Sequence, residues 1–143
     1  MLKPPSLREH LLAKVPSLST DHLLTFISGG HIHSSAHGSM SFVYHYTLEI
    51  VLTDFAHSSD VVMVAVLQWL RVHQPEILLN EEQMADRFTF EADALNGKAY
   101  DLGLKLKLTE RVRVFQQDGQ NMVQHLPEPP LVVIEPVDPT WTI

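Results

Sequence analysis

The sequence predicts a single α+β domain, built on a mostly antiparallel (mixed) β-sheet flanked by two main helices. Three observations predict it. Every even position is apolar over Met40–Leu52 and again over Leu102–Leu108, with mostly polar residues between, the period of two expected of strands with one buried face. The apolar run from Val61 to Val72 is bounded by helix-start and helix-stop residues. The chain has 143 residues, a common size for one domain and short for two. The expected division is a body at residues 1–126 and a Pro-rich C-terminal arm or edge strand at 127–143.

The first element expected is a helix over Ser6–Val15. Ser6-Leu7-Arg8-Glu9 has the pattern of a capping box, and Leu7, Leu11, Leu12 and Val15 fall on one helical face before Pro16 ends it. Leu23–Ser28 is a short strand closed by a turn at Gly29-Gly30. Over Met40–Leu52 every even position is apolar, which predicts a long strand of antiparallel type, because buried parallel strands read as continuous apolar runs.

Ser58, Ser59 and Asp60 supply N-cap chemistry and a negative charge for the Val61–Val72 helix, and Pro75 stops it. Only Gln68 and Arg71 interrupt its apolar surface. A helix with one wet side needs a single apolar stripe, so this one is expected to be covered on its second side, by other parts of the fold or by another subunit. Glu81, Glu82 and Asp86 read as a solvated polar connection.

Phe88, Phe90 and Ala92 alternate with Thr89, Glu91 and Asp93, and a second strand follows through Leu102–Leu108 towards Val112 and Val114. Asn96-Gly97 suggests a two-residue hairpin turn, but such a turn would set Phe90 opposite Gly103. Matching the apolar faces requires an odd loop of three or five residues. Asp118-Gly119 is the next turn, returning through Met122–His125. Five of the nine prolines lie between Pro127 and Ile143, around the apolar run Leu131–Ile134, which suits an edge strand or an arm and not a central strand.

Composition narrows the function. A content of 45% hydrophobic and 19% charged residues is that of a globular chain, and a net charge of -7 argues against direct binding of nucleic-acid backbones. There are no cysteines, which removes disulfides, thiolate nucleophiles and thiolate metal sites. The N-terminus lacks the apolar core of a signal peptide, and no apolar run approaches the roughly 20 residues of a membrane span. No Gly-x-Ser-x-Gly elbow, phosphate-cradling glycine loop or convergent carboxylate set is present. No catalytic residue, cofactor or metal is therefore expected. The group His31, His33 and His37 leaves one alternative open, a small metal- or ligand-binding protein; the plainer reading is an exposed polar hairpin that uses histidine.

Two features are candidates for contact with other proteins. Lys105, Lys107, Arg111 and Arg113 share one face of one strand, either as a solvated face or as a stripe for an acidic partner. Trp69 is either core, given the area an indole buries, or the anchor of a subunit contact.

The segments Ser41–Leu48, Thr53-Asp54-Phe55, Trp69–Pro75, Leu108–Val112 and His125–Pro130, taken in order, resemble the tail completion protein R family of contractile-tailed phages and prophages. The resemblance implies a structural part in virion assembly and similarity to tail terminators, which share a small α/β fold and commonly form hexameric rings on the tail tube. It implies as partners the chain itself in a ring, the tail tube protein and the neck or other tail completion proteins, first in the host cytoplasm and then in the virion tail. It brings no catalytic residues. A monomeric adaptor that joins the virion without forming a ring beforehand is the other reading within that class.

Overall fold

A computed structural model describes residues 1–35, 37–94 and 97–129. The expected arm at Leu131–Ile134, and Leu95 and Asn96 in the hairpin loop, lie outside the described residues. The elements run α1 (Lys3–Lys14), β1 (Leu23–Ser34), β2 (Phe42–Phe55), α2 (Ser59–His73), α3 (Glu81–Arg87), β3 (Phe88–Ala94), β4 (Tyr100–Gln117) and β5 (Gln120–Leu126), with short 3-10 turns at Thr20–His22 and Pro75–Leu79. The fold is α+β. Among the described residues all four strand ladders are antiparallel.

β4 organises the sheet. One side pairs with β2 over Tyr100–Val112, and the other pairs with β3 over Tyr100–Leu106 and with β5 over Arg111–Gln117. β1 lies beyond β2. The even residues of β2 and β4 form the inner face: Tyr46, Leu48, Ile50 and Leu52 beside Leu102, Leu104, Leu106 and Leu108, all buried. Leu7 and Leu11 of α1, Val62, Val66, Trp69 and Leu70 of α2, and Ile77 complete the core. Each fully buried side chain of this size contributes roughly 1.5–3 kcal/mol, so the helices stay on the sheet mainly through this layer. They cover the half of the sheet that holds Leu23 of β1, Leu48–Phe55 of β2 and Leu102–Leu108 of β4, and leave most of β3 exposed. Among the described residues, no helix lies over the distal half, built from the ends of β1, β2 and β4 with β5.

α2 begins where expected: Ser58 Oγ accepts from the Asp60 amide at 3.2 Å, and Arg71 and His73 occupy its last turn. α1 packs along it, and His10 Nε2 lies 2.8 Å from the Ala65 carbonyl oxygen. The second side of α2 is thus partly covered from within, leaving Val61, Val64 and Val72 exposed.

Three expectations need correction. α1 starts at Lys3, not Ser6, with proline in its first turn and no side-chain cap; proline is tolerated there because first-turn amides have no helical partner anyway. Ser6 is accordingly inside the helix, where its Oγ accepts a hydrogen bond from Trp69 Nε1 at 3.0 Å. Gly29-Gly30 is no turn either: β1 continues to Ser34, with a register irregularity between Ile27 and Gly29. A Cβ on Gly30 would overlap the His45 carbonyl and stand 2.8 Å from Tyr46 Cβ, so the glycine serves close strand approach. The third correction concerns Glu81, Glu82 and Asp86, which belong to a short helix, α3. Asn80 Oδ1 caps it by accepting from the Gln83 amide at 3.1 Å, and the acidic first turn suits the helix dipole.

The hairpin registers follow parity. Phe88 faces Leu106, Phe90 faces Leu104 and Ala94 faces Tyr100, so the loop is the odd, five-residue one. Asp118 and Gly119 both have positive φ, the backbone of a tight two-residue turn. Phe90 shares the inner face yet is 63% exposed, because β3 is an edge strand beyond the reach of α1 and α2.

Candidate functional site

The outer face of the sheet carries the basic stripe. Lys105, Lys107, Arg111 and Arg113 stand opposite Glu49, Thr47, Val43 and Gln124 respectively. Each is engaged within the chain. Lys105 Nζ is 3.9 Å from Glu49 Oε1, and Lys107 Nζ is 2.9 Å from Asp86 Oδ2. Arg111 donates to the Pro127 carbonyl at 2.7 Å, and Arg113 donates to Gln124 Oε1 at 3.3 Å while lying over the Phe115 ring. The two lysines are half-exposed, and their pairs contribute little stability. Arg111 is instead a clamp on the start of the C-terminal segment.

Trp69 is 2% exposed and sits within the core, stacked on His73 at 4.7 Å. It offers no free surface on the single chain. His31 and His45 stack with ring centroids 4.8 Å apart, and the His45 imidazole is held below its ordinary pKa, first by burial and then by His31 and His33. Among the described residues no group of three or more His, Asp or Glu side chains is arranged to hold a metal ion. His37 sits in the β1–β2 loop, where its amide donates to Ser35 Oγ.

The structure also contains a polar cluster that sequence reasoning missed. Between β3 and β5, the Lys107–Glu110 stretch of β4 has no neighbouring strand on one side, and side chains fill the gap. Arg87 donates to the Lys107 carbonyl, Gln74 Oε1 accepts from the Thr109 amide at 3.1 Å, and Lys3 Nζ donates to the Thr109 carbonyl. Lys3 also donates to Gln74 Oε1 at 2.6 Å and pairs with Glu128 at 3.1 Å. Beside it, Glu110 is buried and accepts from Tyr46 Oη at 2.7 Å and from the Leu2 amide at 2.6 Å. Burial lowers the Lys3 pKa against the opposing pull of Glu128; burial, then the Glu110 bond, raises that of Tyr46.

This cluster ties α1, α2, β4 and the Pro127–Glu128 segment together at one point. It has the form of an anchoring knot, because Lys3, Gln74, Thr109 and Glu128 are matched to one another, while His125 Nδ1 stands 3.4 Å from Glu110 Oε1 without a hydrogen bond. The one sequence signal was Glu110, an acidic residue at an even position of β4 where the alternation calls for an apolar one. Its partners are scattered from Lys3 to Glu128, and spacing offers no clue to them.

Comparison with known proteins places this geometry. The family model for the P2 phage tail completion protein R (GpR) matches residues 1–129. The chain belongs to this family. Among curated proteins, the tail completion protein R of Escherichia phage P2 is 42% identical over 132 residues, covering 91% of this chain and 85% of the relative. No solved structure matches. Family membership gives the chain a structural part in completing a phage tail, and the sheet faces and edges become the surfaces of interest.

Proposed function

We propose that the chain completes the tail by forming a homo-oligomeric ring that caps the tail tube and helps to join it to the neck. The observation that carries this reading is the family match over residues 1–129. The surface supports it: Phe26, Ile32, Val64, Val72 and Val123 are each about half or more exposed, an apolar burden that suits contact with other proteins. Copies would meet head to tail, the arrangement that closes into a ring. The tail tube protein and neck or tail completion proteins are the further partners. Assembly takes place in the host cytoplasm, and the work is structural, without catalysis, cofactor or metal.

The Lys105 and Lys107 face is offered to an acidic surface of the tube or neck. Complementary charge of this kind sets docking register and encounter rate more than affinity. Because both lysines are half-exposed, Lys105→Glu with Lys107→Glu should leave the fold intact and weaken docking severalfold. Unchanged binding to tails would remove the stripe from the proposal.

Electron microscopy of tails assembled with and without the protein tests the reading as a whole. Tails lacking it should fail to join heads, and added protein should appear as a ring at one tube end. A protein that remains monomeric and binds no tube end overturns the proposal. Density for isolated single copies at the neck would favour the monomeric adaptor.

A further inference from the structure

The free edges of the sheet differ in chemistry. β1 and β5 are the outermost strands of the distal half, and among the described residues neither has a strand on its far side. Neither Leu23–Ser34 nor Gln120–Leu126 contains a Lys, Arg, Asp, Glu or Pro. The third free edge, β3, carries Glu91 and Asp93. Unpaired edges are templates for another strand, and proteins ordinarily guard them with charge, proline or shortness. β3 is guarded by charge, whereas β1 and β5 carry neither charge nor proline. Their exposed side chains include Ile32 at 62%, Val123 at 66% and Met122 at 39%.

We propose that β1 of one copy pairs antiparallel with β5 of a second copy of this chain, joining copies into one continuous sheet. The inference rests on the ring reading above and names the surfaces that form the ring. Polarity allows it. Every step in the order β1-β2-β4-β5 is antiparallel, so β1 and β5 run in opposite directions. A second copy related by rotation keeps the sense of its own β1, which therefore meets β5 antiparallel. The two edges are different surfaces, so the contact is head to tail and closes by rotation.

Face parity selects the register. Val123 stands opposite Val114 on the inner face, and Ile32 reaches the same face through Tyr44 and Glu110. Setting Ile32 of one copy beside Val123 of the next keeps both apolar side chains on that face. It also displaces the second copy by roughly four residues along β4. At about 3.3 Å per residue and 4.8 Å between strands, that displacement over four strands tilts them by about 35° from the ring axis, at the edge of the 35–45° range of closed sheets.

The absence of cysteine makes the test clean. The double variant Ile32→Cys with Val123→Cys, oxidised mildly, should give a ladder of covalent multimers on a non-reducing gel, while each single variant stays uncross-linked. Dimers from Ile32→Cys alone would show β1 meeting β1 and overturn the proposal. So would an internally linked monomer, or an equal ladder from the control pair Phe90→Cys with Val123→Cys. A chain ending at Pro129 should ladder as well; loss of the ladder would assign an edge to residues 130–143 instead. Ile32→Lys and Val123→Lys, both at exposed positions, should keep the circular dichroism spectrum and cut association at least tenfold in sedimentation velocity. Undiminished association without a ladder removes the edge pairing and leaves the ring standing. A wild-type chain that is monomeric both in solution and on tail ends removes both.

Discussion

Lys3 and Glu128 form an ion pair at 3.1 Å between the first turn of α1 and the segment that follows β5, with side chains only 11% and 5% exposed. The pair joins the two ends of the described chain. Removing one partner of a buried pair typically costs about 3–5 kcal/mol, because the other charge stays buried. Lys3 keeps its contacts with Gln74 and the Thr109 carbonyl, so Glu128→Ala should cost less, about 2 kcal/mol. The double variant Lys3→Met with Glu128→Leu should recover much of the loss. Urea denaturation of Glu128→Ala, of the single variants Lys3→Met and Glu128→Leu, and of the double variant measures this, and a double variant whose loss equals the sum of its two singles would show that the pair is uncoupled.

Tyr46→Phe should destabilise the protein by about 1.5–3 kcal/mol, the usual contribution of a hydrogen bond to a charged group. The Tyr46 hydroxyl donates to buried Glu110, and its loss leaves that oxygen poorly satisfied. A change below about 0.5 kcal/mol in chemical denaturation would mean that Glu110 finds another donor.

Gly30→Ala should destabilise by about 1–3 kcal/mol, the range for forcing extra volume into a packed site. The added methyl meets the backbone of β2 at His45 and Tyr46, which has no freedom to move aside. Gly103→Ala is the control: its Cβ would come no closer than 3.9 Å to the Glu91 carbonyl, and replacing a strand glycine should be neutral or gain up to about 1 kcal/mol. Thermal melts of both variants make the comparison.

Trp69→Phe should lower stability by about 1 kcal/mol through loss of the Nε1–Ser6 bond, and leave association unchanged wherever the variant is folded. Reduced association at equal folded fraction would restore the indole to a subunit contact.

Acid should weaken the fold through His73. Burial, then Lys3 and His10, lowers its pKa below the ordinary 6.5. The unfolded chain therefore takes up a proton at a higher pH than the native protein does. Stability contributed by this group is present above pH 6.5 and is lost as pH falls towards its folded pKa. His73→Phe, which keeps an aromatic ring against Trp69, should flatten the dependence of melting temperature on pH between 7 and 5. An unchanged slope would place the acid sensitivity elsewhere.

The alternation in Met40–Leu52 and Leu102–Leu108 by itself determined which face of the sheet a residue takes, although β2 starts at Phe42, Met40 is exposed and burial begins only at Tyr46; parity alone determined the odd β3–β4 loop, because a side-chain period of two admits one solution. Ser58 and Pro75 bounded α2 for equally local reasons. Local chemistry misled where a distant partner overrode it: Ser6 caps nothing because α1 brings it to Trp69, and Gly30 lies in a strand because β2 needs its missing side chain. Only the tertiary structure decided that Lys3, Gln74, Glu110 and Glu128 would meet, that Trp69 would be interior, and that β3 would leave Phe90 uncovered. Those outcomes depend on which elements become neighbours. Backbone periodicity is written along the chain, whereas the pairing of buried charges across more than a hundred residues is set by packing.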